Sequence, residues 1–302
     1  VKKLYLSYSV LNEYKKCPHS FFLRYVHELV PKPWDGPQSW GSPLEFGHLF
    51  HFFMERWLAG KSHEDSMAEV YEEASTLAIC EVPDDANRSL AHLDTVINNL
   101  INYFDNDPEK LWTPIVMEPE VEWKIGVVGD YEVWFRSHFD GVAQLHDGRT
   151  VVLEHKTTSQ SFQQFEKRLK PNDQVSSYAH AMRHHTEWEF DGVLFTAAST
   201  QRFKSKKIME EIARGERQTV EQYYVDCPEW ESDEWFLHTK NTIKKLISDL
   251  DSGIFSKEGP EPCTMYGRCK FAKICSMAPD ERQNYQSKYF IKEAWKGFEI
   301  VE

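Results

Sequence analysis

Apolar and polar positions change their period several times along this chain, and each change marks an element. After Ser9, Val10, Leu11, Tyr14, Phe21, Phe22 and Tyr25 recur at helical spacing. That predicts a helix over 9–30, capped by Ser9 and broken in two at Cys17-Pro18. Residues 31–43, rich in Pro, Gly, Ser and Trp, predict a loop. Helical patterns follow over about 43–58, 64–80 and 86–104. Strand-like alternation then dominates from Ile115 to Lys156. Helix returns over 163–185 with a break near Pro171, the apolar run from Gly192 to Ser199 predicts a buried strand, and 217–227 predicts another. Trp230 to Ser252 predicts a long helix, and the chain from Phe255 onward reads as loop-rich and carries three cysteines. No internal repeat or low-complexity block interrupts this. Helices before, between and after a central mixed sheet predict an α/β or α+β domain.

Composition narrows the picture. The chain has 302 residues, 41% hydrophobic and 14% aromatic with ten Trp, enough for a sizeable core in one large domain or two small ones. No apolar run reaches the ~18 residues of a membrane span, and VKKLYLSYSV lacks the apolar segment of a signal peptide, so a cytoplasmic location is expected. The six cysteines are then expected as thiols or metal ligands rather than disulfides. A formal charge of -13 argues against a protein that coats nucleic acid through bulk electrostatics, though not against an enzyme with a local basic groove. The densest basic run, Arg202 to Lys207, reads either as such a groove or as an exposed loop.

The strand region carries the most chemistry. Asp140 lies fourteen residues before Glu154-His155-Lys156, with His146-Asp147-Gly148-Arg149 between them. Asp-Gly is a strong hairpin signal. Glu154 and Lys156 share a strand face because side chains alternate, and the hairpin partner brings Asp140 beside them. Two hard oxygen ligands suit Mg2+ or Mn2+, and a lysine beside such a metal suits phosphodiester hydrolysis. The ordinary reading is a solvated face with cross-strand ion pairs. The apolar run Val151-Val152-Leu153 weighs against it, since charges ending a buried strand are expensive unless paired or metal-bound.

Two helical patterns add candidates. Gly47, His51 and Glu55 fall on one helix face, where glycine costs roughly 1 kcal/mol and suggests a close backbone approach. His51 is either a satisfied core histidine or a nitrogen ligand for the carboxylate-bound metal. Gln174 and Tyr178, four apart, are either surface polarity or groups facing the sheet edge. In the second case Gln174 would bond a water or the carboxylates, and Tyr178 would donate to a phosphate. Cys263, Cys269 and Cys275 recur as C-x5-C-x5-C, with Cys17 far upstream. Three thiols in thirteen residues point to a soft metal, as a tetrahedral zinc site or an iron–sulfur cluster, with Cys17 as the fourth ligand stapling the two ends of the chain. Cys80 and Cys227 read as packing residues.

Several motifs occur in a set order: Leu6-Ser7-Tyr8-Ser9 with Tyr14 and Cys17-Pro18, Gly47-x3-His51, Asp140-Gly141, Glu154-x-Lys156-Thr157, Gln174-x3-Tyr178 and the trailing cysteines. Together they make the chain resemble the RecB-like nucleases of the PD-(D/E)XK superfamily. The resemblance is to the iron–sulfur branch that includes CRISPR-associated RecB-like exonucleases and phage homologues. The resemblance implies a single nuclease domain over 1–302. Within it, 1–110 would give a helical cap and the first cluster cysteine, 111–255 a restriction-endonuclease-like core with a central mixed sheet flanked by helices, and 256–302 a cysteine-rich, cluster-binding tail. It implies His51, Asp140, Glu154 and the His155 carbonyl as metal ligands, Lys156 as the catalytic lysine, and Gln174 and Tyr178 as the motif of the RecB-like group. It implies Cys17, Cys263, Cys269 and Cys275 as holders of a 4Fe-4S cluster, with zinc the alternative.

The implied activity is metal-dependent hydrolysis of single-stranded DNA by an exonuclease, leaving 5'-phosphates, alongside recombination, repair or CRISPR-adaptation proteins and away from membranes. Arg24 and Lys204 would hold the backbone, and Phe21, Phe22, Trp34 or Trp40 would stack on bases. The chain departs from the branch in its tail, where C-x2-C-x5-C is usual but position 266 is Tyr266, and in the residue before Asp140, which is Phe139 rather than proline. The rival readings are a non-catalytic, cluster-stabilised DNA-binding or assembly subunit and a zinc-stapled hydrolase. No Walker-type glycine loop is present, which argues against a helicase motor.

Overall fold

A computed structural model describes residues 1–32, 43–76, 90–107, 112–202, 205–214, 216–264, 269–294 and 297–301. The chain divides into two compact units, each assembled from segments distant in sequence. The first takes Val1–Trp34, Val121–Ser137 and Trp230–Glu302, and the second takes Asp35–Glu120 and His138–Glu229. The segment 1–110, expected as a helical cap, is therefore shared between both.

In chain order the first half contains β1 (Lys2–Ser7), α1 (Tyr8–Lys16), α2 (Pro18–Phe21) continued by a π-helical turn (Phe22–Val26), β2 (Leu29–Pro31), α3 (Pro43–Leu58), α4 (His63–Thr76), α5 (Leu90–Asp105), β3 (Thr113–Met117), β4 (Glu120–Val128) and β5 (Tyr131–His138). Then come β6 (Gly141–Gln144), β7 (Thr150–Thr158), α6 (Phe162–Glu166), α7 (Asp173–His185), β8 (Gly192–Ser199), α8 (Lys206–Ala213) and β9 (Val220–Val225). The chain closes with α9 (Glu229–Ser252), α10 (Pro260–Thr264), α11 (Ala272–Ser276), α12 (Pro279–Tyr289), β10 (Phe290–Lys292) and β11 (Glu299–Val301). The result is a mixed α/β fold with several sheets. Among the described residues no helix is long and apolar enough to cross a membrane.

The second unit is organised by a five-stranded sheet in the order β3-β6-β7-β8-β9. β7 and β8 run parallel and the other pairs antiparallel. β8 is buried along its whole length, as its unbroken apolar run requires of a strand covered on both faces. The predicted hairpin forms: Gly141 pairs with Leu153, and the turn closes with Leu145 N donating to Arg149 O at 2.8 Å. Gly148 sits there at φ 90°, a backbone region that glycine enters without strain. One sheet face buries Val151 and Leu153 under Phe46, Leu49, Phe50 and Phe53 of α3 and Leu93, Val96, Ile97 and Leu100 of α5. Truncating such a buried leucine to alanine typically costs about 2–5 kcal/mol. The alternate face of β7 carries Val152, Glu154 and Lys156, and Glu154 there accepts from Tyr178 of α7.

The first unit has a four-stranded sheet, β11-β1-β5-β4, and a two-stranded ladder of β2 and β10. Leu23, Leu29, Phe271, Ile274 and Phe290 form a small core beside that ladder. α9 buries Trp235, Thr239, Ile243, Leu246 and Ile247 at helical spacing, and Tyr14 donates to Asp249 Oδ2 at 2.7 Å.

The helix break at Cys17-Pro18 occurs where the pattern placed it, with Pro18 opening α2. Two expectations fail. β1 was not anticipated, because only Leu4 and Leu6 are buried in its six residues. The tail, expected to be loop-rich, holds three helices and two strands among its described residues. α10 and α11 have five residues each and α12 buries none, so no apolar period announces them.

Candidate active site

The end of the β6–β7 hairpin gathers the predicted chemistry. Gly141 opposite Leu153 sets Asp140 beside Glu154. Asp140 Oδ2 accepts the His155 backbone N–H at 2.6 Å, and Asp140 Oδ1 lies 3.2 Å from His51 Nδ1 on α3. Glu154, 2% exposed, accepts the Tyr178 hydroxyl at 2.7 Å on one oxygen and pairs with the Lys156 ammonium on the other. Gln174 Nε2 donates to Tyr178 Oη at 2.7 Å. Asn172 caps α7 by accepting the Gln174 N–H, which fixes the helix that carries both. His51, Asp140, Glu154, Lys156, Gln174 and Tyr178 thus meet in one place. Lys156 and His51 are the parts open to solvent, with 37% and 32% of their side chains exposed.

The electrostatics follow from burial and pairing. Burial alone would raise the Asp140 pKa, but the His51 charge, its hydrogen bond and the His155 N–H hold that carboxyl well below the usual carboxylate range. Burial disfavours the charged His51 imidazole, yet Asp140 outweighs it and raises the pKa above the ordinary value. Tyr178 is pushed well above an ordinary phenol by burial and then by the Glu154 and Asp140 charges. His155 points to the other strand face, stacked on Trp112 at 5.8 Å, and burial lowers its pKa to about 4. Both of its ring nitrogens are buried without a hydrogen-bond partner.

Two buried carboxylates and an imidazole are a donor set that fits Mg2+ or Mn2+. Among the described residues these three donors do not all lie within 4.8 Å of one another, because Glu154 is turned onto Lys156 and Tyr178.

Several expectations are corrected. The Tyr178 hydroxyl, expected to donate to a phosphate, is taken up by Glu154. Gln174 bonds Tyr178 rather than a carboxylate. Phe21 is fully buried and Phe22 stacks on Phe255 at 4.6 Å, so both are packing residues rather than platforms for bases. Arg24 is 8% exposed, too buried to present its guanidinium to a DNA backbone. A Cβ on Gly47 would meet only Thr157 Oγ1 at 4.0 Å, an ordinary contact rather than a close approach. Trp34, Trp40, Cys80, Lys204 and Tyr266 lie outside the described residues.

Sequence reasoning also missed Glu118 and His138. They pair at 2.5 Å beside Asp140, and Glu118 takes a left-handed φ of 49° while its N–H donates to Asp140 O. The only signal for them was adjacency to a strand end.

The cysteines behave differently. Cys17 lies between α1 and α2, Cys263 in α10 and Cys275 in α11. Cys269 N donates to Cys263 O at 2.8 Å, and Cys269 and Cys275 pack on the small core of the first unit. Burial first, and then the other thiols, raise the pKa of Cys269 and Cys275. Yet no three of these sulfurs lie within 4.8 Å of one another, so the expected tail is not a formed ligand set. Cys227 is buried, as its packing role requires.

With this geometry in place, comparison with known proteins gives the class. The sequence profile of the PD-(D/E)XK nuclease superfamily matches residues 5–276, and the chain belongs to that superfamily. No curated protein sequence is similar enough to match. Among solved structures, a candidate exonuclease from Eubacterium rectale is similar with a TM-score of 0.53 at 8% identity, covering 91% of this chain and 89% of that one. This is a likeness of fold. LHK-Exo, solved with dAMP, has a TM-score of 0.27 at 12% identity, covering 68% of this chain and 87% of its own. SSO0001 has a TM-score of 0.33 at 16% identity, covering 76% and 94%.

Proposed function

We propose that this protein is a divalent-metal-dependent deoxyribonuclease of the RecB-like iron–sulfur branch. It would act as an exonuclease on single-stranded DNA and leave 5'-phosphates. The observation that carries the reading is the convergence of Asp140, Glu154, His51 and Lys156 at one buried hairpin end. His51, Asp140, Glu154 and the His155 carbonyl would hold Mg2+ or Mn2+. When bound, such an ion lowers the pKa of a water and offsets phosphate charge.

The chain's own groups supply the rest. Lys156 is the cation that reaches from Glu154 toward solvent, so it orients the nucleophile and offsets charge developing on the phosphate. Tyr178 holds Glu154 in one orientation, and Gln174 holds Tyr178; both act as positioning residues. Attack at phosphorus forms one P–O bond and breaks the bond to the 3'-oxygen, which takes up a proton as it leaves. In the first unit, Cys269 N–H donates to Cys263 O and Cys269 and Cys275 pack on one small core, and these placements favour a bound 4Fe-4S cluster with Cys17 as the fourth ligand, with zinc as the alternative.

A time course on single strands labelled at either end tests the reading, with Mg2+ or Mn2+ and with EDTA. The expected result is metal-dependent shortening from one end, with a phosphate on the 5' side of the products. Intact strands under all conditions would return the protein to a non-catalytic DNA-binding role.

A further inference from the structure

The first unit contains a cavity of about 520 Å3 between α12 and the β2–β10 ladder. Its size falls within the roughly 300–1,000 Å3 of small-ligand sites. Arg282, Lys292 and His27 line it with the amides of Gln283 and Gln286, and Leu29 and Phe290 supply an apolar side. Among the described residues that line it none is a carboxylate, although the chain carries a formal charge of -13. Asp280 and Glu281 in the first turn of α12 stay out of the lining.

The ladder explains the placement. Lys292 pairs with Leu29 across it, and Phe290, two residues earlier, shares the strand face of Lys292. Arg282 is oriented from behind, its Nε donating to Met277 O at 3.1 Å, which leaves its terminal nitrogens for a ligand. The positive field extends past the lining. His19 is held below its ordinary pKa by burial and then by Lys257, Arg282 and His27, and His27 by burial and then by Lys292. His19 Nε2 is buried without a hydrogen-bond partner. Both imidazoles are therefore less readily charged, and Arg282 and Lys292 are the cations that an anion in the cavity would meet.

We propose that this cavity binds one nucleotide unit, with the phosphate between Arg282 and Lys292 and the base along Leu29 and Phe290 beside the two amides. An arginine with fixed donors and a lysine match a phosphate, and an apolar wall with amides matches a base. The choice of a nucleotide over another anion rests on the nuclease reading. The unit comes either from a free nucleoside monophosphate or from one residue of a DNA strand.

The test uses the full chain in EDTA, so binding is scored without cleavage. Calorimetry measures dTMP and inorganic phosphate, and fluorescence anisotropy measures labelled oligo-dT. Arg282→Gln and Lys292→Gln should each weaken dTMP binding at least about fivefold, and phosphate alone should bind at least about tenfold more weakly than dTMP. If only oligo-dT binds and both variants weaken it, the unit belongs to a strand, which supports the same site. Equal binding by the wild type and both variants, phosphate binding as tightly as dTMP, or no binding of either nucleotide probe would each overturn the proposal.

Arg282 also bonds the chain, so circular dichroism checks its variant. If that variant does not fold, Lys292→Gln and Gln286→Ala carry the test. Metal-dependent cleavage of labelled oligo-dT is scored in parallel on the wild-type protein. Failure of the nuclease reading would show there, separately from binding.

Discussion

The hairpin end of the second unit and the cysteine segments of the first differ in how far the polypeptide alone completes them. At the hairpin, strand pairing fixes Asp140 against Glu154, and every carboxylate oxygen named above already has a partner: His51, the His155 N–H, Tyr178 or Lys156. The cysteines sit on short helices and between helices, and their sulfurs stay apart. Ladder hydrogen bonds place charged groups at the strand end without help from a ligand. Thiols separated by long stretches of chain have no comparable backbone device, and under the proposed cluster reading a metal would supply the attraction. The first region should therefore tolerate loss of its key side chain without unfolding, and the second should not.

Lys156→Ala tests the first half. It should lower cleavage by on the order of 10³-fold. Lys156 is the exposed partner of its ion pair and anchors no core, so the variant should still fold, with a lowered melting temperature because the buried Glu154 loses its counter-charge. Retained cleavage by a folded variant would remove the lysine from the mechanism. Cys17→Ser tests the second half. In anaerobically purified protein it should bleach the absorbance near the visible range and reduce stability by about 2–4 kcal/mol, the scale of releasing a long closed loop. Unchanged melting, with neither iron nor zinc in either protein, would reduce these cysteines to packing residues.

The same contrast explains what the sequence made legible. The long periodic helices and the apolar strand over Gly192–Ser199 were readable because each buries a regular face. The Asp-Gly turn set the hairpin, and the hairpin set Asp140 and Glu154, so the central pair of the site followed from local signals alone. The direction of the Tyr178 hydroxyl did not, because it depends on how deeply α7 lies against Glu154. Glu118 and His138 meet across twenty residues through a strand end with positive φ, which no local pattern encodes. The cavity at α12 was invisible because that helix buries nothing and has no apolar period.

Acid sharpens the comparison inside the second unit. His155 has a folded pKa of about 4, below its ordinary value, so the folded state keeps it neutral while the unfolded chain takes a proton. Stability should fall as pH drops from about 6.5 toward 4, by at most about 3 kcal/mol from this group. His51 acts oppositely, since its raised pKa adds stability that is full below its unfolded pKa and fades as pH rises through the folded value. The depressed Asp140 adds stability that is lost only at more acid pH, below the window where His155 acts. Urea midpoints in EDTA should thus decline on the acid side for the wild type and flatten in His155→Phe, which keeps the stack on Trp112. Identical slopes would mean that the imidazole is protonated while buried.

Tyr178→Phe is a smaller perturbation of the same pocket. It deletes the hydroxyl between Gln174 and Glu154 while keeping the ring packed on Phe139. The expected cost is about 1–2 kcal/mol in stability and roughly tenfold in kcat, with KM unchanged. A rise in KM at constant kcat would place the hydroxyl on the substrate instead of on Glu154.

The smallest effect is expected at Gly47, on the helix that carries His51. A glycine inside a helix beside a reactive strand suggests that α3 must come unusually close to β7. The distance argues otherwise: a methyl group would stand 4.0 Å from Thr157 Oγ1 and meet nothing else within that range. Alanine should then gain the helix preference that glycine forgoes, about 0.5–1 kcal/mol, with cleavage within about twofold of wild type. A gain confirms that this face of the sheet has room to spare and that His51 is positioned by its pairing with Asp140 rather than by the glycine. A loss of stability together with a loss of cleavage would show that the helix is seated closer to the strand than its packing indicates, and that the glycine sets the reach of His51.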